Sequence, residues 1–246
     1  MQQHWSNDQA VVLEITRPVT ASGADGYLSE TAGTGTGLFG VGDPHAAAQL
    51  LAGADLSAVT RFSLPRGTIA AAQTSRPLPT LFSAPCVTWD WMCLSACPST
   101  APYLTQDAHV EELTDLQETL AAHATVASTG ELLPTEERSR WWGWRDDSGV
   151  IRSLVGASLG PHGAPWVLGS IGTDENWWGR GLAAVTTAAA VKEALSDATL
   201  VTLALYASNT AALNLYYKLG FTLEACFESS RFAYTNPEAS TAPTPK

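Results

Sequence analysis

The sequence predicts an α/β fold of the α+β kind, and three observations predict it. Three apolar segments separated by turns lie between Trp141 and Thr173 and read as consecutive antiparallel strands. A helix opened by glycines follows at Gly179-Arg180-Gly181. A strand, Thr199 to Leu205, then leads into a second helix that stops at Gly220.

Composition sets the outer bounds. The 246 residues are 45% apolar and include nine tryptophans, enough for one large core or two small ones and too apolar for wholesale disorder. Thirteen Lys and Arg against 24 Asp and Glu leave a net charge of −11, which argues against a nucleic-acid surface and mildly favours cationic partners. The four cysteines, Cys86, Cys93, Cys97 and Cys226, read as reduced thiols. The first three, taken with His109, match no zinc-knuckle spacing, so no metal is expected. No basic region followed by an apolar run opens the sequence, so no signal peptide is expected. The uncharged stretch Ser153 to Thr173 holds two prolines and five glycines, and reads as two strands rather than a membrane span. A cytoplasmic protein without membrane partners is the expectation.

In chain order, Val11–Ile15 reads as a strand and Pro44–Ala52 as a short helix. The glycine run 33–42 reads as a turn-rich loop, because the Lys-Ser/Thr pair that closes a phosphate loop is missing. Cys86–Met92 reads as a strand. The composition break at Cys97–Pro102 suggests a boundary, giving domains 1–102 and 103–234 and a disordered tail 235–246. Val110, Leu113, Leu116 and Leu120 fit a helix over Ala108–Ala122, and Pro134–Arg138 suggests another that starts at its proline. The meander then runs from Trp141 through a turn at Asp146–Gly149, along Val150–Leu159, through Gly160–Pro165 and along Trp166–Thr173.

The glycine-opened helix has an apolar face of Leu182, Val185, Ala188, Val191 and Leu195. Glycines at a helix start let several N–H groups converge where the positive end of the helix dipole acts, an arrangement that suits a pyrophosphate. Arg180 would add a charged contact. The residues Gly179 to Ala184 also satisfy a dinucleotide fingerprint. Against that reading, Asp174 to Trp178 intervene after the strand, and the motif follows an antiparallel meander. Close helix–strand packing is the plain structural alternative. In the second helix Ser208 or Asn209 can cap, Ala212, Leu215 and Leu219 bury one face, and Tyr216 lies beside it.

The order strand, Gly-x-Gly-x-Ala helix, strand, then Asn-x-x-Ala-x-x-Leu-Tyr-x-x-x-Gly-Phe resembles the GNAT superfamily of acyl-CoA N-acyltransferases over roughly residues 103–234. The resemblance implies a mixed, mostly antiparallel sheet flanked by helices. Residues 1–102 would then be a smaller, degenerate α/β domain, as in tandem members such as glycine N-acyltransferase-like proteins. It implies acetyl-CoA as cosubstrate with no metal, a small-molecule or peptide amine as acceptor, and a homodimer among the allowed assemblies. By resemblance the fourth and fifth strands part, and the pantetheine arm bonds to the backbone of Ile171, Gly172 and Thr173. The pyrophosphate would sit on Gly179, Arg180, Gly181, Leu182, Ala183 and Ala184. Asn209 would bind the pantetheine or the helix edge, Ala212 would lie along the cofactor, and Tyr216 would protonate the departing thiolate. An N–H of the fourth strand would hold the oxyanion.

Trp178 departs from the family, which usually has Arg or Gln there. Trp177 and Trp178 could cover the adenine, plug a cleft or pack in a core. No acid lies within Val167–Thr173 to deprotonate the amine. Glu137, Asp146, Asp174 and Glu175 are candidates, each also readable as a solvated surface carboxylate, and none is assigned. The histidines His4, His45, His109, His123 and His162 lie in unrelated segments and support no Ser-His-Asp arrangement. Trp89, Trp91, Trp141, Trp142 and Trp144 read as core rather than a sugar-binding face. Two functions stay open: an N-acetyltransferase working by direct attack in a ternary complex, or a non-catalytic relative that binds CoA or a protein partner.

Overall fold

The computed structural model describes residues 12–16, 36–57, 59–73, 82, 86–96, 109–161 and 163–231. In chain order these form β1 (Val12–Thr16), β2 (Thr36–Val41), α1 (Pro44–Gly53), β3 (Val59–Pro65), α2 (Thr68–Gln73) and β4 (Val87–Leu94). There follow β5 (Val110–Leu113), α3 (Leu116–Val126), β6 (Ser139–Arg145), β7 (Ile151–Leu159) and β8 (Trp166–Thr173). The last elements are α4 (Leu182–Asp197), β9 (Val201–Tyr206), α5 (Thr210–Lys218) and β10 (Thr222–Arg231). Their contacts separate into two units, divided inside β4 between Trp89 and Asp90 and inside β10 between Ala225 and Cys226.

In the first unit β1 is antiparallel to β2, β2 is parallel to β3, and β3 is antiparallel to Phe227–Arg231 of β10. The parallel pair needs a crossover, which α1 supplies. Asp43 caps α1 by accepting from Ala46 N at 2.9 Å, and Pro44 starts it. Leu38, Leu51, Phe62, Leu64 and Phe82 fill the core, with the Phe62 and Phe82 rings stacked at 4.8 Å. The loop expected over residues 33–42 is therefore wrong over Thr36–Val41. Leu38 points inward and Phe39 outward, and pairing on both sides makes this a strand despite its glycines.

In the second unit the strand order is β10-β4-β9-β8-β7-β6-β5. The pairs from β5 to β8 are antiparallel and β8 is parallel to β9. Period-two alternation splits neighbouring residues between two cores. Trp142, Val155 and Leu168 pack with Ala188, Val191 and Ala194 of α4, together with Met92 and Leu203. Trp141 and Leu154 face the other way, packing with Leu113, Ala122, Leu132 and Ile151.

The helix expected over Ala108–Ala122 divides into two elements. Val110–Leu113 pairs with β6 as an edge strand, and α3 starts only after Asp115, whose carboxylate accepts from Glu118 N at 3.0 Å. Pro134–Arg138 is a set of turns rather than a helix, closed by Glu136 N to Leu133 O and Ser139 N to Glu136 O. The break at Cys97–Pro102 and the tail 235–246 lie outside the described residues. No described helix is long and apolar enough to cross a membrane.

Candidate functional site

The site is built where β8 and β9 part. Their parallel pairing covers Trp166↔Val201, Val167↔Thr202 and Leu168↔Leu203. Beyond it β8 runs on to Thr173 and β9 to Tyr206 without a further registered pair. A bulge accompanies the divergence. Between Gly156↔Gly169 and Leu154↔Gly172, β7 advances two residues and β8 three, which bends and over-twists β8. Ser170 takes up the extra residue at φ 49°, the one non-glycine with positive φ among the described residues.

Side chains brace this bulge. The Ser170 hydroxyl donates to Leu132 O at 2.7 Å, and His123 Nε2 lies 3.4 Å from the same oxygen atom. His123 is buried edge-on to Trp141 at 5.6 Å, and burial pulls its imidazole below the ordinary value. The chain after α3 lies so close to β8 that a Cβ on Gly172 would stand 2.0 Å from Val126 O. Gly172→Ala must therefore push the α3 end away from the bulge. The expected cost is about 1–3 kcal/mol in a urea unfolding curve, with weakened acetyl-CoA binding. An unchanged midpoint and affinity would remove Gly172 from this role. Sequence reasoning missed both His123 and Ser170. The available signals were a histidine four residues after Thr119 on the buried face of α3, and a serine in the middle of a mostly apolar strand.

After β8, Asp174 caps a single 3-10 turn, Glu175–Trp177, by accepting from Asn176 N at 3.0 Å. Gly179 (φ 75°) and Gly181 (φ 80°) are both left-handed, and α4 begins at Leu182. Asp43, Asp115 and Asn209 cap α1, α3 and α5 with side chains, whereas Gly181 offers α4 none. The first-turn amides of the longest helix have no acceptor within their own helix. Beside them the Arg180 guanidinium lies 4.5 Å over the Trp177 ring, and among the described residues it pairs with no carboxylate.

Arg152 lies 5.4 Å from the same Trp177 ring and binds Asp146 at 2.8 Å and Asp174 at 2.7 Å. The Ser148 hydroxyl and then Arg152 hold the Asp146 carboxyl well below the usual range. The Asn176 N–H, and after it Arg152, lower that of Asp174. Both acids are thus committed to structural pairs, while Glu137 and Glu175 are exposed. Trp178 is exposed, and its indole N–H donates to Thr173 O at 2.7 Å. Of the three β8 residues expected to meet the pantetheine, Thr173 thus has a donor on its carbonyl, and Gly172 O accepts from Ser153 Oγ at 3.0 Å.

On α5 the Asn209 side chain accepts from Ala212 N at 3.1 Å, and Ala212 packs against the core. Tyr216 is buried in that core, 5.9 Å from Phe221, and burial raises its phenol well above the ordinary value. Gly220 stops the helix at φ 91°. Cys86, Cys93 and Cys226 are half-buried, and Cys97 lies outside the described residues. Among the described residues no group of His, Cys, Asp and Glu could hold a metal ion.

The family model for GNAT acetyltransferases matches residues 103–221. This segment belongs to the GNAT acetyltransferase family. A GNAT-family protein from Novosphingobium aromaticivorans has a similar fold, with TM-score 0.52 and 20% identity over 78% of this chain and 82% of its own. GCN5-related N-acetyltransferases from Kribbella flavida and Sphaerobacter thermophilus both score 0.51. They are 17% and 14% identical, over 80% and 90% of this chain and 81% and 76% of theirs. Such identities speak for the shared fold alone. No curated protein matches the chain. The GNAT fold accounts for the mixed sheet, and membership implies acyl transfer from an acyl-CoA.

Proposed function

We propose that the GNAT segment transfers an acetyl group from acetyl-CoA to a primary amine by direct attack in a ternary complex. The observation that carries this reading is the opening between β8 and β9 beside a glycine-opened helix whose first amides no side chain caps. The acyl-CoA supplies an activated thioester carbonyl. Gly179 to Ala184 hold the diphosphate through backbone N–H groups, with Arg180 adding charge. Ile171, Gly172 and Thr173 carry the pantetheine along the open edge of β8. The bulge at Ser170 and Ile171 aims a backbone N–H at the developing oxyanion.

As the C–S bond breaks, Tyr216 gives its proton to the departing sulfur, and the proton lost by the attacking amine returns through solvent to restore the phenol. A phenol is protonated at neutral pH at its ordinary value, as a general acid must be, and burial raises it further. Asn209 supports this geometry by fixing the start of α5. The transfer chemistry belongs to residues 103–234, and 1–102 act as a degenerate companion.

Two measurements test the reading. Acetyl-CoA should raise the melting temperature with the logarithm of its concentration above Kd, and thiol release with a panel of amines should follow. Tyr216→Phe should then lower turnover by about a hundredfold while cofactor affinity stays within twofold. Binding without thiol release for any amine would favour the non-catalytic alternative.

A further inference from the structure

We propose that the Trp178 indole is the platform on which the adenine of the bound acyl-CoA stacks, an inference that rests on the acyl-CoA reading above. Trp178 is 65% exposed, more than any other large apolar side chain among the described residues. The ring is nevertheless held in place, because its N–H is committed to Thr173 O at 2.7 Å. A tryptophan fixed by its polar end and bare on its face is suited to an aromatic ligand.

Its neighbour cannot serve instead. Trp177 is covered by Arg180 at 4.5 Å and Arg152 at 5.4 Å, and it packs on Trp144 at 5.5 Å. Position selects the adenine from among the parts of the cosubstrate. The bulge at Ser170 marks the inner end of the open β8 edge, where the thioester belongs. Trp178 is tied to the last residue of that strand and immediately precedes the turn whose amides face the diphosphate. The nucleoside is bonded directly to that diphosphate and leaves the cleft at this outer end. A side chain there that carries no charge but a broad π-face contributes through base stacking rather than through ion pairing. Every adenine presents such a face.

The test is equilibrium binding to the full chain of two ligands, CoA and 4′-phosphopantetheine, which lacks the adenosine. Trp178→Ala should weaken CoA by about tenfold, the stacking worth of one base, and leave phosphopantetheine within twofold. Trp178→Phe, which keeps a ring but lacks the N–H, should retain most of the CoA affinity. An equal loss for both ligands would reduce Trp178 to a clasp on Thr173 and overturn the proposal. So would tighter or unchanged CoA binding by Trp178→Ala. Wild-type protein that binds neither ligand would overturn the acyl-CoA reading itself.

Discussion

Gly181→Asp is expected to abolish acetyl-CoA binding and leave the protein folded. Aspartate is among the strongest N-caps, and it tolerates the left-handed region better than most non-glycine residues. The strain at φ 80° is therefore held to about 1–2 kcal/mol. A carboxylate at Gly181 would stand beside the first-turn amides of α4 and repel the diphosphate, an opposition of like charges costing several kcal/mol. Calorimetry should show acetyl-CoA affinity falling by at least about a hundredfold, with the melting temperature of the free protein within a few degrees. Gly181→Asn, which adds a side chain without charge, should lose less. Affinity within threefold of wild type in Gly181→Asp would mean that the diphosphate does not sit on these amides.

The parts of the fold legible in the sequence are those whose signal is local. The meander β6 to β8 shows because Trp, Val, Ile and Leu alternate between Gly- and Pro-marked turns. The turn before α4 shows because left-handed residues demand glycine at 179 and 181. The start of α5 shows because Asn209 is a cap residue followed by an apolar stripe. The misread elements are those where a local signal competes with a partner in space. Val110, Leu113, Leu116 and Leu120 fit one helical face, yet β6 offers Val110–Leu113 a strand partner, and Asp115 marks the true helix start. The glycines of β2 suggest a loop until strands pair on both sides of it.

The same division runs through the site. Residues 171–173 and 179–184 are legible as motif positions. The bulge is not, because it is a property of the β7–β8 register. His123, Ser170 and Leu132 meet only through the packing of the chain after α3, across 47 residues of sequence in the case of His123 and Ser170. The bond from Trp178 to Thr173 likewise depends on how the 3-10 turn folds back.

A chain beginning at residue 103 should fail to fold cooperatively, although the family match lies wholly within it. Strand β4 lies next to β9 in the sheet, and two of its side chains belong to the core under α4: Met92, wholly buried, and Leu94. Without them Leu203, Leu205 and Phe221 lose apolar cover, and β9 presents an unpaired edge, a recognised route to aggregation. In the full chain the milder test is Met92→Ala. Deleting a buried side chain of that size costs about 2–5 kcal/mol, the transfer term plus the cavity left behind. Urea unfolding should show that loss, and the opening between β8 and β9 should loosen with it because Leu203 is both a partner of Leu168 and a member of this core. Acetyl-CoA should then stabilise Met92→Ala less than wild type at the same ligand concentration. A fragment from residue 103 that melts sharply, and shifts with acetyl-CoA as the whole chain does, would show that β4 is dispensable to the cleft.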